Sequence, residues 1–219
     1  MCFLFILFGV LLLIFFLLLF FNVLDISFVS LGLNDVTAFI LMLSILLGSL
    51  INIPVKHRNL PFHESNSTHN APPFVYYYPP KVTRQVIAVN LGGAIIPIAF
   101  CIYLFFQDMP IWQTLVGIAV AALISWSITK PVRGVGFQIF WLIPPLIAGL
   151  VGLLLAGDSG AAPVAFISGV VGTIIGVYVL NFYRYNKVGP AVINIGGGGI
   201  FSGIFLTGVV AVLLSGLGS

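Results

Sequence analysis

The feature that most limits what this chain can fold into is a series of uninterrupted apolar runs, each about 20 residues long. A helix of that length matches the thickness of the hydrocarbon core of a bilayer. Transmembrane β-strands would instead alternate apolar and polar residues. Only 6% of the 219 residues are charged, against about 25% in soluble domains. We therefore predict an all-α, polytopic membrane helix bundle.

Seven segments are apolar and long enough to be transmembrane helices. They cover about residues 2–23, 36–54, 85–106, 111–129, 136–156, 161–183 and 197–217. We expect one membrane domain over residues 1–219, with a Pro- and Tyr-rich cytoplasmic loop at 55–84. The first segment has no Lys or Arg before it and no small-residue cleavage site after it, so we interpret it as a retained anchor.

The predicted loops differ in charge, and this difference predicts their side of the membrane. Every Lys and Arg lies in the second, fourth or sixth loop: Lys56, Arg58, Lys81, Arg84, Lys130, Arg133, Arg184 and Lys187. The first, third and fifth loops contain Asp and no cation. Because Lys and Arg are enriched in cytoplasmic loops, we predict a cytoplasmic N-terminus and an external C-terminus, in a multi-pass protein of the cell membrane.

No Asp, Glu, Lys, Arg or His lies in the middle of a predicted helix. Proton relays and ion-coupled transport depend on such groups, and haem or redox metals need His or Cys ligands. We therefore predict no catalytic residue, no metal site and no cofactor, while lipid or pigment contacts stay open. The polar loop contains His57, His63, Glu64 and His69, but their spacing matches no strong metal-ligand pattern. A net charge of +3 gives no reason to expect nucleic-acid binding.

Small residues recur every four positions on the last two predicted helices. They are Ser168, Gly172 and Gly176 on one helix, and Gly199, Gly203 and Thr207 on the other. Such spacing lets two helix backbones approach closely in a membrane, where van der Waals contact drives association. We therefore predict that these residues form helix-packing seams.

Polar residues and prolines inside the predicted helices indicate a second kind of site. Pro97 and the pair Pro144 and Pro145 each remove a backbone hydrogen bond from a helix. Transporters use interrupted helices to expose carbonyl groups to a substrate, so together with Asn90 and Asn181 these residues could form a midplane polar site. The alternative is that neighbouring helices satisfy the kinks and that Asn90 makes an interhelical hydrogen bond.

Five stretches of the chain resemble an uncharacterised family of prokaryotic integral membrane proteins, domain of unknown function 1614. These stretches are LLGSLINIPV (46–55), VIAVNLGGAIIP (86–97), KPVRGVGFQIFWLIPPL (130–146), ISGVVGTIIGVYVLN (167–181) and NIGGGGIFSGIFLTGVVAVLL (194–214). The resemblance covers most of the chain apart from the first helix and the Pro-rich loop. It implies a prokaryotic inner membrane or a photosynthetic membrane as the location.

The resemblance also implies an Asp on each of the last two helices, at positions that here hold Tyr178 and Ser202. A carboxylate pair would suggest an aspartyl intramembrane protease, so this chain would be an inactive relative of such an enzyme. Our leading expectation is a non-enzymatic accessory or scaffolding subunit, with lipid and other membrane subunits as partners. The alternative is a transporter or channel for a small neutral or lipid-like solute.

Overall fold

The computed structural model describes residues 22, 28–60, 84–107, 109–140, 142–197 and 203–216. The fold is mostly helical, as expected. Its helices are α1 (Asp35–Gly48), α2 (Leu91–Phe105), α3 (Ile111–Ile128), α4 (Ile143–Gly157), α5 (Gly160–Val188) and α6 (Gly203–Gly216). Its strands are β1 (Asn52–Asn59), β2 (Arg84–Asn90), β3 (Lys130–Val132), β4 (Gly136–Gln138) and β5 (Val192–Ile195). The predicted helix at 2–23 lies outside the described residues except for Asn22.

Two helices, α3 and α5, are long and apolar enough to cross a membrane. They have 18 and 29 residues, and α1, α2 and α4 are shorter apolar helices. Gly157 separates α4 from α5 because its backbone, at φ 61° and ψ −167°, is not helical. Within the described part of the chain, the structure therefore gives two helices of spanning length.

Five strands correct the expectation of an all-α fold. β1 pairs with β2 in antiparallel fashion and β5 pairs with β2 in parallel fashion, while β3 and β4 form a separate hairpin. The predicted helix ends near residues 54, 85 and 136 are therefore wrong. β2 is the central strand of its sheet and rich in Val and Ile, so its continuous apolar run resembles that of a buried helix. β1 accepts Pro54 because it is an edge strand.

Of the prolines predicted to interrupt helices, Pro144 and Pro145 lie instead where a helix begins, whereas Pro97 lies inside α2. Pro97 follows a π-helical turn over Leu91–Ile95 and marks the change from π to α geometry within that helix. Pro144 and Pro145 occupy the first turn of α4, after the β4 strand. A helix leaves its first N–H groups unpaired, so proline costs little there.

All five strands lie at one end of the helix bundle, which we call the cationic end. The chain passes from α1 into β1, from β2 into α2, and from α3 through the hairpin into α4; α5 then leads through β5 to α6. The cations of the described residues lie on these connections: Lys56, Arg58, Arg84, Lys130, Arg133, Arg184 and Lys187. Asp35 lies at the opposite end, where Asn34 caps α1.

The buried core of the bundle surrounds α5, whose residues 164–170 are all buried. The ring of Phe166 meets the ring of Phe100 edge-on at 5.3 Å, and Phe100 meets Phe28 edge-on at 5.9 Å. Edge-to-face pairs of this kind add to the free energy gained by burying the rings. A second, smaller core at the cationic end joins the sheet to the end of α5 through Ile87 and Tyr185.

Candidate functional site

Three asparagines, one from each strand of the larger sheet, form a hydrogen-bonded cluster. Asn52 Oδ1 accepts hydrogen bonds from Asn90 Nδ2 at 2.9 Å and from Asn194 Nδ2 at 2.6 Å. Asn90 Nδ2 also donates to the Ser49 carbonyl at 2.7 Å, and Asn90 Oδ1 accepts from the Gly93 N–H at 2.6 Å. Asn90 thus caps the first turn of α2 and holds it to the end of α1.

Gly196 marks the point where the loop after β5 meets the first turn of α2. Its φ of +74° is in the left-handed region that favours glycine. A Cβ atom on Gly196 would lie 2.6 Å from the carbonyl carbon of Gly93, a distance at which real Cβ atoms are not found. The two glycine segments therefore touch backbone to backbone, with no room for a side chain between them.

Tyr178 links α5 to this glycine contact. It lies in a π-helical turn of α5, Ile175–Val179, a kind of irregularity that is frequent at functional sites. It lies beside Gly196 in the wall of one cavity, and its ring meets the ring of Phe137 edge-on at 6.2 Å. Asn181 is fully buried and donates to the Gly176 carbonyl at 2.8 Å, which stabilises the same turn.

A cavity of about 430 Å³ opens beside Tyr178 at the cationic end of the bundle. Its volume falls within the range of roughly 300–1,000 Å³ that is usual for ligand pockets. The walls come from β4, the start of α4, α5, the loop after β5 and α6. Residues from all of these elements line it, among them Gln138, Pro144, Thr173, Tyr178, Gly196 and Thr207.

The polar groups of the cavity are uncharged. Thr173 is 3% exposed, and within the described part of the chain its Oγ1 has no hydrogen-bond partner. Leaving a buried hydroxyl unpaired costs about 1–3 kcal/mol, so a ligand in the cavity would gain that free energy if Thr173 rotated its buried Oγ1 towards it. The described lining includes no Asp, Glu, Lys, Arg or His. The cavity therefore suits a neutral ligand that carries hydrogen-bonding groups.

Among the residues that the structure describes, no three His, Cys, Asp or Glu side chains are close enough to hold a metal ion. The cavity offers hydroxyl and amide groups instead of metal ligands. Its chemistry is thus hydrogen bonding within an apolar wall.

The small residues on α5 lie in its interface with α3. A Cβ atom on Gly172 would lie 2.6 Å from the Ala121 Cβ, and Gly176 is pressed against the backbone of the same helix. Ser168 faces Gly117, where a Cβ atom would collide with the serine hydroxyl. The two helices are therefore in close contact along this face, as small residues allow.

The second predicted seam is only partly within the described residues. Thr207 lies against α5, because a Cβ atom on Gly169 would fall 3.1 Å from the Thr207 Cγ2. Gly203 is the first residue of α6, while Gly199 and Ser202 lie outside the described residues. Thr207 also lines the cavity.

The residues predicted for a midplane polar site do not come together. Of Asn90, Pro97, Pro144, Pro145 and Asn181, the structure places Pro144 in the cavity wall. The side chains of Asn90 and Asn181 hydrogen-bond within the asparagine cluster and within the π turn of α5. A different set of residues therefore forms the polar surface of the cavity.

The sequence does not single out Asn52, and Thr173 is one of several uncharged polar residues in the predicted helices for which no role is predicted. A signal for the asparagine cluster is present in the sequence, since Asn between two aliphatic residues occurs at 51–53, 89–91 and 193–195, and these three asparagines meet. Thr173 carries no such signal, because a Thr in an apolar helix commonly bonds to its own backbone. Only the three-dimensional structure shows its hydroxyl to be unpaired among the described residues.

The sequence of the chain matches the model of one protein family. A family model described as "Protein of unknown function (DUF1614)" matches residues 46–214. The matched range begins near the end of α1 and includes every strand, the asparagine cluster and the cavity lining. No curated protein and no solved structure matches the chain.

Proposed function

The chain belongs to the family of proteins of unknown function DUF1614, and from that premise we propose that it is a seven-span membrane protein with its cationic end in the cytoplasm. The N-terminus would then be cytoplasmic and the C-terminus external. The two helices of spanning length support this topology. So does the gathering of the described Lys and Arg residues at one end of the bundle, as in cytoplasmic loops.

Single cysteines on the two ends of the bundle test this topology. Gln107 and Lys187 are both exposed, and the chain connects them to opposite ends of the helices. In a Cys2→Ser, Cys101→Ala background, an impermeant maleimide added to intact cells should label Gln107→Cys. It should label Lys187→Cys only after permeabilisation. The reverse pattern would show that the protein has the opposite orientation. Labelling of both cysteines from the same side would contradict the proposed topology.

Within this framework we propose that the cavity binds a small neutral solute and that the protein is a transporter or channel for it. The observation that carries this proposal is the unpaired, buried hydroxyl of Thr173 in the cavity wall. A second observation supports it: Tyr178, the position where the family resemblance implies an acid, lines the same cavity. With no carboxylate there, the cavity would bind solute without catalysing a reaction.

Proteoliposome measurements with glycerol and urea test the solute proposal, since these molecules represent hydroxyl and amide ligands. Light scattering should show faster entry of at least one of them than into protein-free liposomes. Thr173→Val should slow that entry severalfold. Thr114→Val is the matched control, because Thr114 is equally buried but its hydroxyl already donates to the Pro110 carbonyl at 2.9 Å. Entry at the protein-free rate, or equal effects of both variants, would contradict the proposal.

A non-enzymatic accessory or scaffolding subunit is the second candidate function. It is supported by α1, whose apolar side chains Val36, Phe39, Ile40 and Leu47 are more than half exposed in the described structure. Such a surface suits lipid or the helix of another subunit. Extraction in mild detergent should then recover the protein with a stoichiometric partner. Recovery as a lone monomer after crosslinking would count against this candidate.

A further inference from the structure

The cationic end of α5 combines exposed aromatic rings with basic side chains. Phe182 and Tyr183 are 54% and 59% exposed. Lys56 Nζ lies 5.8 Å from the ring centre of Phe182, and Arg184 Cζ lies 5.1 Å from that of Tyr183. Two cations therefore accompany two neighbouring aromatic residues at the end of a helix long enough to span a bilayer.

The positive charge of this end is not balanced by carboxylates within the described structure. Asp35 is the acid whose side chain is described, and it begins α1 at the opposite end of the bundle. Arg184 is held in place because it donates to the Thr129 carbonyl at 3.3 Å, where α3 ends. A fixed cation with no carboxylate beside it among the described residues is suited to binding an anion.

The surface next to these cations is apolar in the direction of the bilayer. Val179 and Leu180 precede the aromatic pair on α5 and are 58% and 38% exposed. Phe182 and Tyr183 follow within four residues of Val179, so exposed apolar and aromatic side chains are concentrated at this end of α5. An acyl chain can lie against such a surface, whereas a free phosphate ion would make no use of it.

We propose that Lys56 and Arg184, each beside an exposed aromatic ring, hold anionic phospholipid of the cytoplasmic leaflet through its headgroup phosphate. Its acyl chains would lie along Val179, Phe182 and Tyr183. The inference rests on the membrane topology proposed above, but not on the solute cavity. Aromatic residues at the headgroup level and basic residues beside the anionic leaflet are the usual elements of such a contact.

Native mass spectrometry of the purified protein tests this site, with phosphatidylglycerol and phosphatidylcholine as the probes. Wild-type protein should retain phosphatidylglycerol in preference to phosphatidylcholine, and added salt should reduce the preference. Lys56→Gln with Arg184→Gln should weaken phosphatidylglycerol binding about 30-fold, given the usual contribution of each basic residue. Lys56→Gln alone should weaken it about fivefold, and this variant keeps the Arg184 bond to Thr129 if the double variant unfolds.

The matched control is Arg84→Gln with Arg133→Gln, which removes two exposed charges from the same end of the bundle. It should change binding less than threefold. An equal loss of phosphatidylglycerol binding in the control would show that the attraction is diffuse and would contradict a specific site. Displacement of the lipid by millimolar glycerol phosphate, which lacks acyl chains, would also contradict it. Thr173→Val should leave lipid binding intact, so that failure of the lipid site and failure of the solute cavity give different results.

Discussion

Gly196 lies so close to Gly93 that a Cβ atom on it would be 2.6 Å from the Gly93 carbonyl carbon. Each glycine follows a strand, β5 and β2, and these strands are parallel neighbours. Each strand leads through its glycines towards a helix, α6 and α2. The loop that follows β5 is therefore held to the first turn of α2 by direct contact between backbones, and Tyr178 of α5 lies beside the same point.

Gly196→Ala should destabilise the protein more than a change of backbone conformation alone would. Gly134→Ala is the control, because Gly134 has a similar φ of +75° and no atom lies within 4 Å of the place that its new Cβ would take. Both variants carry the strain of a left-handed residue, and the collision at Gly196 should add about 1–3 kcal/mol. Unfolding in mixed micelles measures the difference. Equal losses would show that the contact with Gly93 relaxes freely.

Asn52→Ala should lower the free energy of unfolding by about 0.5–1.5 kcal/mol, since it removes the acceptor of two amide groups. Asn59→Ala, an equally exposed position at the other end of β1, should change it by less than about 0.5 kcal/mol. In the double variant Asn52→Ala with Asn194→Ala, the loss of stability should be smaller than the sum of the two single losses. The reason is that both changes break the same hydrogen bond, the one between Asn194 and Asn52. Full additivity would contradict a shared cluster.

Gly172→Ala should weaken the contact between α3 and α5, since its methyl group would lie 2.6 Å from the Ala121 Cβ. We expect a loss of about 1–3 kcal/mol from overpacking. Ala121→Gly makes room on the facing helix and should recover part of that loss in the double variant. A double-mutant cycle of the wild type, the two single variants and the double variant gives the coupling energy between the two positions. A coupling energy near zero would show that Gly172 and Ala121 are not in contact.

Tyr178→Phe should cost about 0.5–1.5 kcal/mol of stability. The change keeps the ring against Phe137 and removes the hydroxyl that lies near the backbone of Gly196. Tyr183→Phe is the control, because Tyr183 is 59% exposed and its hydroxyl can be satisfied by solvent or headgroups. Thermal unfolding in detergent compares the two. A larger loss of stability for Tyr183→Phe than for Tyr178→Phe would show that the Tyr178 hydroxyl does not stabilise the fold.

Much of the helical framework is readable from apolar run length. The predicted span at 111–129 and the observed helix Ile111–Ile128 nearly coincide, because Pro110 and Pro131 bracket the run. β2 is not readable in this way. Its four consecutive residues 86–89 are all apolar, as expected of a central strand, so periodicity does not separate them from a buried helix.

The cavity could not be predicted because its walls come from separate parts of the chain. Gln138, Thr173 and Gly196 meet only because β5 pairs with β2 and β4 packs beside the end of α5. That pairing joins Val86 to Val192 across four intervening helices. Local sequence patterns contain no information about a contact between residues so far apart.

The order of the strands has a consequence for how the protein is made. β5 leaves the ribosome after α2, α3, α4 and α5, so β2 waits through the synthesis of four helices with one edge unpaired. An open strand edge is a template for any other extended segment. A nascent chain halted before residue 192 would therefore leave one edge of β2 unpaired at the membrane surface. That edge could pair with other extended segments, and it is where we expect quality-control proteases to recognise the incomplete chain.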